Sequence, residues 1–405
     1  MKENANIFSC FTGKKDMEVT KKICYDTKKG EMEMNLNSFM PAKLITGAGC
    51  VRAAAGELAK LGSSCLIVTG KRSAKISGAF QDVTVTLEQN GQKWLLYDEI
   101  GQNPRLTDCM AAAEMAIAAG ADFIVGIGGG SALDAAKCIA VLAANPGLTQ
   151  KQLYGFDWAN APLKIAAVGT TAGTGSEVTK VSVITTPDGR KKSFHNEAIF
   201  PALSLGDPNY TMSLPSMVTR ATAVDVLAHC AESFFSRSAN HISRCYAVEG
   251  IRLLLPVFRM MAENGFDDQN YDTREKLYCA SIYGGMAINI TGTCFPHTMG
   301  YLLTESFGIP HGTACAVFQR DFYEYNKDVV PELASEYLER IGCGEEEYFT
   351  LLEKITPPCE ISMEEDLISA AHSRWIGNGS IAKCQGVFSP DMADDILRKK
   401  FLKNK

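Results

Sequence analysis

Long hydrophobic runs are missing from this chain. No apolar stretch reaches the roughly 18 residues that a membrane-spanning helix requires, so no membrane association is expected. Met1 to Phe11 hold no extended apolar core and no small-residue cleavage site, so no secretory leader is expected either. None of the 14 cysteines forms a C-x-x-C pair, and most sit in apolar or helical stretches, as Cys138, Cys230 and Cys279 do. That argues against zinc knuckles and disulfides and for reduced thiols in a cytoplasmic protein. Excess positive charge is lacking too: a net charge of −6 gives no electrostatic reason to bind nucleic acid. There is no G-x-G-x-x-G dinucleotide fingerprint and no internal repeat. Histidine is scarce, with six among 405 residues, which makes the place of each one informative.

What is present fits a soluble globular chain of two or three domains, 46% hydrophobic and 21% charged. Residues 1–35 are polar and rich in Lys and Glu, and read as a flexible extension. From Asn37 onward, apolar strand signals (39–47, 64–70, 92–97, 121–128, 165–169, 181–186, 202–205) alternate at first with helical stretches (51–61, 77–90, 107–119 and 131 to about 144). Such alternation predicts an α/β domain on a parallel sheet. After Asp207-Pro208 the strand signals stop. Helical texture then fills 216–236, 241–262, 272–291, 295–306, 312–325, 330–341, 346–354 and 363–373. The expected division is an extension over 1–35, an α/β domain over 36–210 and an all-helical domain over 211–405.

Three stretches carry chemistry. Gly128-Gly129-Gly130-Ser131 joins a buried strand to a helix, where backbone N–H groups and the helix N-terminus can hold a phosphate; a plain packing turn is the alternative. Asp134 and Lys137 follow about one turn apart on that helix. The stretch from Thr170 to Glu177 packs four hydroxyls and two glycines just after a strand, which suits a polar ligand as well as a Ser/Thr-turn loop. Asp225 and His229 are four residues apart and share a helix face, and only tertiary folding could bring His297 and His311 to them. One carboxylate and three imidazoles can form the donor set of a divalent first-row metal, or equally be hydrogen-bonded core groups.

Taken together, Gly-Gly-Gly-Ser-Ala-Leu-Asp-Ala-Ala-Lys (128–137), Thr-Thr-Ala-Gly-Thr-Gly-Ser-Glu-Val-Thr (170–179), Asp-Val-Leu-Ala-His-Cys-Ala-Glu (225–232) and Pro-His-Gly (310–312) resemble the iron-containing, group III alcohol dehydrogenases. The resemblance covers roughly 37–405. It implies a dehydroquinate synthase-like architecture: an α/β dinucleotide-binding domain followed by an all-helical domain carrying metal and substrate. It assigns the metal, Fe(II) with Zn(II) as the alternative, to Asp225, His229, His297 and His311. Gly128, Gly129, Gly130 and Ser131, with Asp134 on the same helix, fall on the cofactor's pyrophosphate side, and Thr170, Thr171, Thr174 and Ser176 on nicotinamide and ribose. Asn103 matches the family's Asn-Pro near the adenosine, and Lys192 matches a cofactor-contacting lysine.

Three positions depart from the family pattern. Tyr301 stands where many members carry a second histidine, as in the butanol-dehydrogenase-like branch, and is a candidate proton relay or simply a packing residue. Gly70 stands where NAD-preferring members often place Asp, and Lys71, Arg72, Ser73 and Lys75 follow it. Without the carboxylate, this basic, hydroxylated turn favours NADP(H) over NAD(H). Gly169 replaces a usual Pro, which should loosen the loop entry. The expected activity is hydride transfer between NADP(H), or NAD(H), and a small alcohol or aldehyde, in a homodimer or larger homo-oligomer. Aldehyde reduction is favoured if NADPH is the cofactor. The alternatives are polyol oxidation of the glycerol-dehydrogenase kind and a non-catalytic microcompartment-associated protein.

Overall fold

The computed structural model describes residue 36 and residues 38–265 and 270–403; the expected extension over 1–35 lies outside the described residues.

Six parallel strands form the main sheet, in the order β1-β8-β5-β4-β2-β3. They are β1 (Lys43–Thr46), β2 (Ser64–Thr69), β3 (Lys93–Tyr97), β4 (Phe123–Gly128), β5 (Lys164–Gly169) and β8 (Leu203–Gly206). The central strands are near-continuous apolar runs because both faces are covered. Alternate residues feed two cores. Leu66, Val68 and Ile124 face α2 (Leu106–Ala118) and α3 (Gly130–Ala144). Cys65, Ile67, Val125 and Ile127 face Val51, Leu58 and α1 (Ala79–Gln89).

The strand order reverses between β2 and β4, the switch point at which open α/β sheets bind ligands beyond their strand ends. Register aligns those ends. Thr69 pairs with Ile127, and Gly128 pairs with Gly169, so Gly70, Gly128 and Thr170 leave the sheet along one edge.

The stretch 181–186 does not join this sheet. β6 (Val181–Thr185) pairs antiparallel with β7 (Lys191–His195) as a separate hairpin. Its loop holds Pro187, Asp188 and Gly189, with Gly189 at φ +80°, a turn that returns the chain at once.

From Ser216 onward the described residues hold no strand element. The longer helices are α4 (Ser216–Phe235), α5 (His241–Asn264), α6 (Tyr271–Thr291), α7 (Phe295–Phe307), α8 (Gln319–Val329), α9 (Pro331–Ile341), α10 (Glu345–Ile355) and α11 (Pro390–Phe401). The predicted helix over 312–325 is two, a short helix His311–Ala316 and then α8, and α11 has no counterpart in the sequence-based reading. α4 lies at the centre, buried from Ala223 to Phe235 between α5, α6 and the His311–Ala316 helix. No helix among the described residues is long and apolar enough to cross a membrane.

Candidate active site

The predicted metal donors come together around α4. Asp225 and His229 share one face of it, with His229 Nε2 3.9 Å from Asp225 Oδ1. α7 brings His297 Nε2 to 3.6 Å from the same oxygen, and the His229 and His297 rings stack at 4.7 Å. His311, the first residue of its short helix, meets the His297 ring edge-on at 5.3 Å. Gly312 explains the Pro-His-Gly spacing: a Cβ there would stand 1.9 Å from the Ala221 carbonyl oxygen of α4, so only glycine lets this helix lie close enough to carry His311 inward.

Glu232, one turn beyond His229 on α4, orients the cluster. Its Oε1 lies 2.6 Å from His297 Nδ1, and its Oε2 accepts the N–H of Cys294, the residue capping α7, at 2.7 Å. Gln319 donates to Glu232 Oε1 as well. With Nδ1 held by a carboxylate, His297 turns Nε2 toward Asp225, as histidine ligands of metals commonly do. Glu232 stands in the motif that carried the resemblance, but a contact 65 residues along the chain leaves no local signal.

Burial and neighbouring charge push the cluster's groups in different directions. Burial lowers the His311 pKa to about 3 against the opposing pull of Asp225, with Lys191 and the other two imidazoles adding to the shift. Burial lowers His229 in the same way. Asp225 is held well below the usual carboxylate range, against its burial, by His229, His297 and His311. His297 is raised, also against burial, by Cys315, Glu232 and Asp225. Asp225 Oδ1 and His297 Nε2 are buried with no hydrogen-bond partner. Buried polar atoms left unpaired are costly, and two of them facing each other in an O/N donor set fit a divalent cation.

The strand-end loops interlock through their glycines. A Cβ on Gly129 would stand 2.9 Å from the Thr171 side chain, and one on Gly130 2.6 Å from Thr174. The glycines therefore admit the threonine loop as well as leaving the α3 N-terminus open, with Gly129, Gly130 and Ser131 partly exposed there. Thr170 Oγ1 is buried and unpartnered at the end of β5. Asp134 and Ser176 behave otherwise. Ser176 Oγ donates to Asp134 Oδ1 at 2.6 Å, and Val183 N–H donates to Asp134 Oδ2 at 2.9 Å. Lys137, almost fully buried, donates to Ser176 Oγ, Thr179 Oγ1 and the Val181 carbonyl. Asp134 and Ser176 were expected on the cofactor side; their polar atoms are committed to each other and to Lys137 and Val183, and the group pins the loop and β6 to α3.

Gly169 does not loosen the loop. A Cβ there would stand 1.9 Å from Glu177 Oε1 and 2.6 Å from Tyr278 Oη, and Tyr278 donates to Glu177 at 2.9 Å. The space a proline would fill is taken by this buried pair. The threonine loop in turn packs on α4: a Cβ on Gly173 would meet Thr222, one turn before Asp225, at 2.7 Å.

β7 separates two adjacent lysines. Lys192 turns outward onto Tyr154, with Nζ 4.4 Å from the ring centroid. Lys191 faces the opposite way, 5.5 Å from the centroid of Tyr301, which stacks on His311 at 5.2 Å. Strand alternation thus aims Lys191, not the expected Lys192, toward the cluster. Burial lowers the Lys191 pKa, and no hydrogen bond or ion pair engages its ammonium among the described residues. Glu305 accepts the Lys191 N–H at 3.0 Å and pairs with Arg374.

Asn103 adopts a left-handed conformation, φ +59°, ahead of Pro104, whose carbonyl accepts the Thr185 N–H at 2.8 Å and ties the segment to β6. Near Gly70, Lys71 pairs with Glu99 at 2.8 Å and Lys75 with Asp98 at 2.6 Å. Ser73 opens the short helix that follows.

A parallel α/β sheet with glycine- and threonine-rich loops at its switch point, followed by helices that gather one carboxylate and three imidazoles, is an architecture shared by a family of oxidoreductases. The chain belongs to the iron-containing alcohol dehydrogenase family. The model described as "Iron-containing alcohol dehydrogenase" matches residues 41–208, and that of the family's C-terminal part matches 219–360. Over 291 residues the chain is 34% identical to alcohol dehydrogenase 4 of Schizosaccharomyces pombe, covering 71% of this chain and 68% of that one. It is 35% identical over 286 residues to the sulfoacetaldehyde reductase of Bilophila wadsworthia, covering 69% and 73%. The iron-containing alcohol dehydrogenase structure of Thermotoga maritima matches with a TM-score of 0.83 at 29% identity, over 90% of this chain and 98% of that one.

Proposed function

We propose that the protein is a metal-dependent alcohol dehydrogenase acting chiefly as an aldehyde reductase, with the α/β part, 36–210, binding a nicotinamide dinucleotide and the helical part, 211–405, supplying the metal donors. The observation that carries this is the convergence of Asp225, His229, His297 and His311, with Asp225 Oδ1 and His297 Nε2 buried and unpaired. These four residues would hold Fe(II), or Zn(II). Such an ion, when bound, polarises the substrate oxygen as a Lewis acid, and the dinucleotide carries the hydride.

The chain's own residues position and exclude. Glu232 fixes the His297 ring through Nδ1 and leaves Nε2 for binding. Gly128 to Ser131 present the α3 N-terminus to the pyrophosphate, and Thr170, Thr171 and Thr174 line the adjoining edge toward α4. Lys191 sets an uncommitted positive charge beside Tyr301, suited to a cofactor hydroxyl or phosphate. Tyr301 forms a wall against His311. Burial raises its pKa, so its phenol keeps its proton and serves as a donor, not a base.

Gly70, Arg72 and Ser73 favour NADP(H). Glu99 and Asp98 beside Lys71 and Lys75 narrow the margin, although such exposed pairs are weak and yield readily to a phosphate. Relatives named for sulfoacetaldehyde and for 1,3-propanediol support a small aldehyde or alcohol as substrate. The test is anaerobic oxidation of NADPH and NADH over a panel of short aldehydes by iron- and zinc-loaded protein. NADPH-dependent turnover is expected; no turnover with any aldehyde or either nucleotide would refute the function.

A further inference from the structure

One turn after His311, on the same face of its helix, Cys315 is fully buried, with Sγ 3.7 and 3.8 Å from the two His311 ring nitrogens. Near-equal distances place the sulphur against the ring, not on one nitrogen lone pair. Gly300 of α7 makes room for it: a Cβ there would stand 2.9 Å from Sγ. Among the described residues, Cys315 Sγ and one donor atom each from Asp225, His297 and His311 all lie within 4.8 Å of one another, and His229 is not in that set. Two residues of the set, Asp225 and His297, carry the buried oxygen and nitrogen that have no partner. Tetrahedral zinc, with bonds of about 2.0–2.3 Å, spaces its donors roughly 3.3–3.7 Å apart, so modest side-chain movement closes the set.

We propose that Cys315 is a further ligand of this centre. The chain then offers five donors for one ion, and a thiophilic divalent ion such as Zn(II) or Co(II) binds through Asp225, His297, His311 and the Cys315 thiolate, the thiol proton leaving to solvent as the bond forms. An Asp/His set alone gives such ions no sulphur; Cys315 shifts the preference of the site from iron toward zinc and cobalt. This rests on the cluster being a metal centre, as proposed above.

The test uses the full chain, stripped with a chelator and reloaded anaerobically with Co(II). Thiolate-to-cobalt charge-transfer absorption in the near ultraviolet is expected in the wild type and is lost in Cys315→Ser and Cys315→Ala, while the visible d–d bands of bound cobalt persist. The zinc-over-iron preference, measured by competition, should fall about tenfold in Cys315→Ser, or roughly 1.4 kcal/mol. Cadmium NMR of the cadmium-loaded wild type, which needs no variant to fold, should show a shift typical of one sulphur among nitrogen and oxygen donors. Bound cobalt without charge-transfer absorption, absorption unchanged in both variants, or a cadmium shift typical of nitrogen and oxygen alone would overturn the assignment of Cys315 and leave the metal centre standing. Failure to bind cobalt at all would overturn both.

Discussion

The strand-end loops and the histidine cluster meet at α4 but are built on opposite principles. At the loops, side-chain polarity is mostly consumed internally: Asp134, Lys137, Ser176 and Thr179 satisfy one another, while the Thr170 hydroxyl stays buried without a partner. At the cluster, side chains are left over, with Asp225 Oδ1 and His297 Nε2 buried and unpaired. The first region is a scaffold whose residues hold shape. The second tolerates a local cost of a kind that a bound ligand relieves. Substitutions should therefore separate the two, costing stability in one region and function in the other.

The sharpest separation is His297→Ala. Metal content should fall to background, and turnover should fall about a thousandfold, as loss of several kcal/mol of Lewis-acid stabilisation implies. The Tm of the metal-free protein should fall only modestly: Glu232 Oε1 loses its His297 partner but keeps the Gln319 donor, and His229 and His311 stay beside Asp225. A collapse of the metal-free fold would break the comparison.

Lys137→Met should do the reverse. Removing one partner of a buried charged network costs about 3 kcal/mol, read as a lower denaturant midpoint with metal content unchanged. The same lysine gives a pH signature. Burial lowers its pKa from 10.5 to about 8, against the pull of Asp134 and Glu177. Between those values the unfolded chain holds a proton that the folded chain has released, so this group makes stability rise with pH. Lys137→Met should flatten that slope in unfolding curves measured across the window.

Glu232→Gln should sit between the two regimes. The fold survives while metal affinity drops about 10–100-fold, the usual cost of losing a partner that orients a histidine ligand; metal-buffer titration reads it. The smallest effect expected is at Gly70. Gly70→Asp should move the NADPH-to-NADH ratio of kcat/KM about tenfold toward NADH, since a carboxylate repels a 2′-phosphate. The gain in NADH use should stay partial, because the Ile100 carbonyl would stand 3.1 Å from the new Cβ.

Legibility in the sequence follows the same divide. The strands could be read because central parallel strands are continuous apolar runs bounded by glycines, and the sheet edge carrying Gly70, Gly128 and Thr170 follows from them. The four proposed donors could be read because histidine is rare here and the motifs that hold them resemble the family's; the close approach at Gly312 showed only in the fold. What escaped was tertiary. Lys192 came from the match to the family's lysine, and Lys-Lys-Ser-Phe-His shows no apolar alternation from which the hairpin or the inward-facing Lys191 could be inferred. Gly169 looked like slack until Tyr278, 109 residues later, filled the space. Cys315 passed as one buried thiol among many until folding set it beside His297 and Asp225.

The central claim is that the leftover polarity around α4 exists to hold an ion. Metal content per chain, measured after anaerobic loading with iron or zinc and removal of excess, tests it directly on the wild type and on an Asp225→Asn, His297→Ala double variant of matched secondary structure. About one ion per wild-type chain and none in the variant is the predicted result; equal content in the two proteins, or none in either, would contradict it.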